Sequence, residues 1–227
     1  MRESYLRPLL WLTVVQAVVT LLAGLNLVIP AMATRVGVGE FVRWREIFSL
    51  LFVTPASAGL MVMAIWLLER GRGDSWSPLL AITVSICLVA ISMGVHEPIN
   101  VLGRGAGDRL RETVFFWDEV FSHASFFAGF AGVSLSLIWG QARNPLGAAM
   151  GLGAFFAFLG CGLVAGVGIF FSLVRAPDIR IDLVIIAVVI ALAELLRRGR
   201  PFGVLPLAVA LETGYALALV GLLLRGR

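Results

Sequence analysis

Apolar runs long enough to cross a lipid bilayer recur along almost the whole chain, and no other feature constrains its fold as strongly. Bounded by Arg, Gly and Pro, they fall near residues 9 to 33, 46 to 68, 77 to 102, 114 to 140, 147 to 174, 181 to 196 and 202 to 224. A membrane-spanning helix needs about 20 such residues, so the pattern predicts seven transmembrane helices, the sixth being the shortest. Composition agrees, because 59% of the residues are hydrophobic and only 14% are charged, against about 25% charged in a water-soluble domain. With short loops, 227 residues leave no room for a soluble domain. The expected fold class is therefore all-α: a polytopic integral membrane protein, one transmembrane domain over residues 1 to 227, built as a bundle of about seven helices. The expected location is a prokaryotic cell membrane.

Flanking residues support these boundaries. Trp11, Trp44, Trp66, Trp76, Trp117 and Trp139 all lie at or near predicted helix ends, where amphipathic rings favour the headgroup level. Span one is longer than the 7 to 15 apolar residues of a signal-peptide core and reads as a mature helix. An odd number of spans puts the termini on opposite sides, here called face A (N-terminal) and face B (C-terminal). Arg residues divide almost evenly between the two, with a slight excess on face B that leans toward a cytoplasmic face B.

All 18 basic residues are Arg. Without lysine there is no Schiff base, which excludes retinal attachment and aldolase-type covalent chemistry. The net charge of +4 is scattered through short loops, a pattern that suits lipid headgroups and not nucleic acid. Cys87 and Cys161 sit in apolar runs without a CxxC pair and read as small buried hydrophobes. The face B segments Thr34 to Arg45 and Gly103 to Thr113 are mixed enough to form short interfacial helices, with Phe41 or Leu110 toward the acyl chains.

Ionisable groups inside a span cost a few kcal/mol or more and are functional candidates by default. Glu97, Asp118, Glu119, Glu194 and Glu212 fall inside predicted spans, together with His96 and His123. At about 1.5 Å of rise per residue, the two histidines sit at similar depth in the face B half of consecutive helices. Ser92, His96 and Asn100 share one helix face, and so do Glu119 and His123. Pro98 and Pro55 each remove a backbone donor, which predicts broken helix beside these groups. Such breaks are tolerated where they line a cavity, so a polar chamber in the face B half is expected, reached by Asn26, Thr54, Glu212 and Tyr215. Glu194 beside Arg197 and Arg198 reads as an end-of-helix ion pair. The Gly-rich fifth span reads as a packing helix through Gly147 to Gly151 and Gly162 to Gly166, and as a candidate contact for a second copy or a membrane complex.

Two imidazoles with several carboxylates suit a divalent metal such as zinc, iron or manganese. The residues expected to hold it are His96, Glu119 and His123, with Glu97, Asp118 and Glu212 in catalytic roles, in an enzyme acting on membrane lipid or another hydrophobic small molecule. A b-type haem between the two histidines, in an electron-transfer subunit, is one alternative. A proton-coupled transporter or channel is another.

Ser92-x-x-x-His96 with its following acid, and the run from His123 to Gly132, resemble parts of the CREST superfamily of seven-helix hydrolases. That resemblance implies a zinc site completed by a further histidine pair on the last helix; here the last span carries Glu212 and Tyr215 and no His. Arg43-Trp44-Arg45 ahead of Phe48 and Phe52 resembles the first-loop region of rhomboids, but the Gly-x-Ser-Gly nucleophile of those proteases is absent.

Overall fold

The computed structural model describes residues 5–36, 42–70, 76–103, 107–174 and 179–225. The side chains of Glu97, Asn100, Val101, Asp108, Arg109, Ile179 and Arg180 lie outside the described set. Each of the seven apolar runs forms a helix. α1 is Leu6–Val28, α3 is Trp76–Gly103, α5 is Leu152–Leu173, α6 is Ile179–Arg197 and α7 is Pro206–Arg225. α2 is continuous over Trp44–Glu69 but winds as a π-helix over Ser49–Val53. α4 has three parts, Asp108–Phe115, a π-helical Phe116–Ser122, and His123–Arg143.

Among the described residues, six of these helices are long and apolar enough to cross a membrane. The remaining one, α6, has 19 residues and carries Asp182, Glu194 and Arg197 near its ends. The protein is a multi-pass, all-α membrane bundle. Trp11, Trp44, Trp66, Trp76 and Trp117 are all exposed on its outside, as expected of a belt at the headgroups.

Followed by their main contacts, the helices close a ring. α1 packs on α5, α5 on α7, α7 on α6, α6 on α4, α4 on α3, α3 on α2, and α2 back on α1. α4 also reaches across to α2 and to α7. Near face A these cross-links are polar and specific. Asn144 Nδ2 donates to the Leu68 carbonyl at 2.5 Å, and Tyr5 Oη donates to the Asn144 carbonyl at 2.8 Å. Gln141 Oε1 accepts the amides of Leu207 and Ala208 at 2.7 and 3.3 Å. Those amides belong to the first turn of α7, where helical geometry offers them no partner. The face A loops lock together as well, with Leu146 N donating to Val204 O and Met150 N to Gly203 O.

Glycine decides how closely the helices approach. A Cβ on Gly162 would lie 2.4 Å from the Ala210 carbonyl oxygen, and one on Gly168 would lie 2.3 Å from that of Thr20. α5 is thus wedged between α7 and α1, as the Gly162 to Gly166 spacing predicts. Gly147 and Gly151 precede α5 and face open space, so that half of the expected packing motif is absent. Cys161 is buried, but Cys87 is exposed on the outer face of α3. An apolar run in a bilayer has no need to bury every small residue, because the lipid side of a helix is as apolar as its core.

The segments near face B differ from expectation in form. The amphipathic stretch after α3 is helical, but it is the first part of α4, with Leu110 and Phe115 exposed. The segment after α1 makes a 3-10 turn over Pro30–Ala33 and a bridge between Arg35 and Arg43; Phe41 lies outside the described residues. α3 stays helical through Pro98. At Pro55 the missing donor is absorbed by the π-turn just ahead of it, in which the amide and hydroxyl of Thr54 both donate to the Ser49 carbonyl.

Candidate functional site

The site is positioned by the α3–α4 pair, and small residues set that pair. A Cβ on Gly132 would strike the Ser85 side chain, and one on Gly129 would lie 2.6 Å from the Ser85 carbonyl oxygen. Towards face B, His96 meets Ser122 and Gly103 meets Val114. Ser85 opposite Gly132, His96 opposite Ser122 and Gly103 opposite Val114 are one antiparallel register, held along the shared length of both helices. Its inner positions, Ser85, Ser92, Ser122 and Ser125, are all buried. Ser85 and Ser92 are seven residues apart and Ser122 and Ser125 three, spacings that keep each pair on one face of its helix, as a continuous helix–helix seam requires. A serine in such a seam costs little where its hydroxyl bonds back to its own helix, as Ser85 does to Ala81 O at 2.7 Å and Ser122 does to Asp118 O.

Where this seam nears face B it becomes ionisable. His96 Nδ1 lies 2.7 Å from Asp118 Oδ1 and 3.4 Å from Ser122 Oγ. His123 Nδ1 lies 3.5 Å from Glu119 Oε2, one turn earlier on the same helix. The two imidazole rings are neighbours, with centres 5.4 Å apart and planes tilted by 37°. The inner pair is more enclosed, with side-chain exposures of 27% for His96 and 14% for Asp118, against 41% for His123 and 39% for Glu119. The site is accordingly a recess open on one side and not the enclosed chamber expected from sequence.

The π-helical stretch Phe116–Ser122 carries both carboxylates. Its i→i+5 winding advances the chain more slowly around the axis than an α-helix does. Asp118 and Glu119 are therefore turned relative to the α-helical register that His123 begins. Asp118 reaches His96 across the seam while its neighbour Glu119 stays on the side of His123.

His96, His123, Asp118 and Glu119 thus come together, as their shared depth predicts. The Glu97 side chain lies outside the described residues, as does that of Asn100. The other groups expected around the chamber lie elsewhere. Asn26 Nδ2 donates to Arg45 O at 2.9 Å and to Ser49 Oγ at 3.0 Å, tying α1 to the start of α2. Thr54 belongs to that same tie through Ser49. Tyr215 is fully buried between α7 and α4, hydrogen-bonded to Ser134 and edge-on to Phe130. Glu212 lies close to Glu194 of α6, and its Oε1 is buried without a hydrogen-bond partner among the described residues. Glu194 in turn accepts from Arg197 Nε at 3.1 Å, which is the ion pair predicted for it. Depth along the normal was right for these groups in part, but direction around the helix axis put them against other neighbours.

Three buried acids escape the sequence reading, and one of them, Glu69 at the end of α2, 5% exposed, lies 4.0 Å from Arg143 Nε. Glu46, 2% exposed, accepts the Arg43 amide at 2.8 Å in a capping box at the start of α2. Asp182, 3% exposed, stands in the first turn of α6, where a carboxylate complements the helix dipole. An acid three residues into a helix, or in its first turn, is the signal that marks Glu46 and Asp182.

Among the described residues, no three His, Cys, Asp or Glu side chains converge as a ready-made metal cage. What the geometry provides is two imidazoles, each with a carboxylate oxygen near its Nδ1, at 2.7 Å for His96 and 3.5 Å for His123. Fold and site together define an all-α, multi-pass membrane protein with a paired histidine–carboxylate recess between its third and fourth helices. No known protein family, characterised protein or solved structure matches the chain.

Proposed function

We propose that this recess binds one divalent metal ion through His96 and His123, and that the protein is a metal-dependent membrane enzyme acting on a lipid or other hydrophobic substrate. The observation that carries the proposal is the 5.4 Å separation of the two ring centres. Two imidazoles bound through single nitrogens to one tetrahedral ion, at about 2.1 Å each, place their ring centres about 5 Å apart. A haem held between axial histidines on opposite sides requires about 6 Å and room for the macrocycle, so the spacing favours the ion.

The carboxylates take a role that differs from direct ligation. A carboxylate at Nδ1 draws the imidazole proton to that nitrogen, leaves the Nε2 lone pair free for a ligand, and raises its basicity. Asp118 Oδ1 lies 2.7 Å from His96 Nδ1 and Glu119 Oε2 3.5 Å from His123 Nδ1, close enough to take that role with a small rotation of either side chain. Glu119 is then the positioning partner of a ligand, and Asp118 orients the ring whose neighbour in sequence, Glu97, is the candidate proton acceptor. Two protein ligands leave positions for water and for the substrate's carbonyl or phosphoryl oxygen, which the ion would polarise while lowering the pKa of the bound water. Exposed Leu110, Phe115, Phe116 and Trp117 on the same helix suit a substrate arriving from the bilayer.

One observation favours a second reading. Glu194 of α6 and Glu212 of α7 lie close together, and a pair of neighbouring carboxyl groups at the level of the bilayer is the kind of proton-carrying site that a proton-coupled transporter uses. Elemental analysis and an absorption spectrum of the purified protein separate the readings. About one zinc, iron or manganese per chain, lost in both His96→Ala and His123→Ala, is the expected result. A Soret band would instead establish the haem reading, and full metal content in the double His variant would end the metal proposal and leave transport.

A further inference from the structure

A cleft of about 460 Å³ opens near face A, between the start of α1 and the segment leading into α5. It is far from the histidine recess, and that volume falls in the range of about 300 to 1,000 Å³ typical of small-molecule sites. Leu6, Leu10, Leu146, Met150 and Ala154 make its walls apolar, and among the described residues Arg7 is the one charged residue that lines it. Gly151 and Ala154, also in the lining, are the N-cap and first turn of α5. That 22-residue helix has no side-chain cap and no acid in its first turn, so its first amides lack an intrahelical partner and the positive end of its dipole lies at the edge of the cleft.

We propose that this cleft holds one anionic phospholipid from the face A leaflet. Its phosphate sits between the Arg7 guanidinium and the α5 N-terminus, and an acyl chain lies along Leu6, Leu10, Leu146 and Met150. Charge complementarity selects an anion, and the apolar walls select one that carries a hydrocarbon chain. The depth is that of a headgroup, because Trp11, one turn beyond Arg7 on α1, is exposed at the level of the aromatic belt. The walls are held in place from behind by the amides of Leu146 and Met150, bonded to Val204 O and Gly203 O.

Native mass spectrometry of the full chain, released from micelles containing equal phosphatidylglycerol and phosphatidylcholine, tests this. A single phosphatidylglycerol adduct is expected, retained about tenfold over phosphatidylcholine. Arg7→Ala should abolish that preference, Arg7→Lys should keep most of it, and Ala154→Phe, which fills the cleft, should remove the adduct. Should Ala154→Phe fail to fold, Ala148→Leu in the exposed loop serves the same purpose. Equal retention of both lipids by the unaltered protein would overturn the proposal. So would a phosphatidylglycerol adduct that survives both Arg7→Ala and the cleft-filling variant, or one displaced by millimolar inorganic phosphate, which would mark a site for free anions.

Discussion

The seam that wedges α5 between α1 and α7 and the seam that joins α3 to α4 are made of similar small residues, yet they end in different places. Around α5 the contacts are glycine against backbone carbonyl, at Gly24, Gly162, Gly166 and Gly168. Nothing ionisable interrupts them. Between α3 and α4 glycine alternates with serine, and the same register that brings Gly132 against Ser85 brings His96 against Asp118. Close approach without polar groups holds helices together. Close approach with serines that satisfy themselves on their own helix lets the seam pass into an ionisable cluster without stranding a donor in lipid.

The largest effect is expected where the wedge is tightest. Gly162→Leu would drive a side chain into the Ala210 backbone, which has no flexible end to move aside. Loss of the folded, monodisperse protein is expected, a cost above about 4 kcal/mol, read by size-exclusion and thermal unfolding in detergent. Gly160→Leu, at a position with open space, should be tolerated. If both variants behave alike, α5 is not the wedge described.

The two seams are tied together by Gln141, which projects from α4 onto the first turn of α7. Gln141→Ala leaves two buried amides unpaired and should cost about 1 to 3 kcal/mol, measured by denaturant or thermal unfolding. Gln141→Glu, which keeps the accepting oxygens, should recover part of that loss.

A smaller stability effect with a larger functional one is expected in the other seam. Gly129→Ala pushes α4 away from the Ser85 backbone and should cost about 1 to 2 kcal/mol while weakening metal retention about tenfold or more, as disturbed support of a ligand does. Unchanged metal affinity in a folded Gly129→Ala protein would separate the seam from the site. Least affected should be Glu194→Gln. Glu194 belongs to a half-open i,i+3 pair with Arg197, worth less than about 1 kcal/mol, and its loss should leave metal content unchanged.

Much of this arrangement was legible along the chain because the bilayer reduces it to one dimension. Run length against hydrocarbon thickness identifies all seven helices, and counting residues from helix ends places His96 and His123 at one level. The spacing of Gly162 and Gly166 marks a close contact, and Glu194 followed by Arg197 marks a pair. The direction in which each group faces around its helix axis was decided only in the tertiary structure. Asn26 and Thr54 share the face B half with the histidines but bond within the α1–α2 contact. Glu212 turns to Glu194, and Tyr215 to Ser134. The π-helical Phe116–Ser122 changes which side of α4 presents Asp118, and nothing in its local composition announces that winding. Depth follows from sequence because helical rise is constant and lipid imposes the boundaries; azimuth depends on which neighbour approaches closely, and that is settled by contacts between residues far apart in the chain.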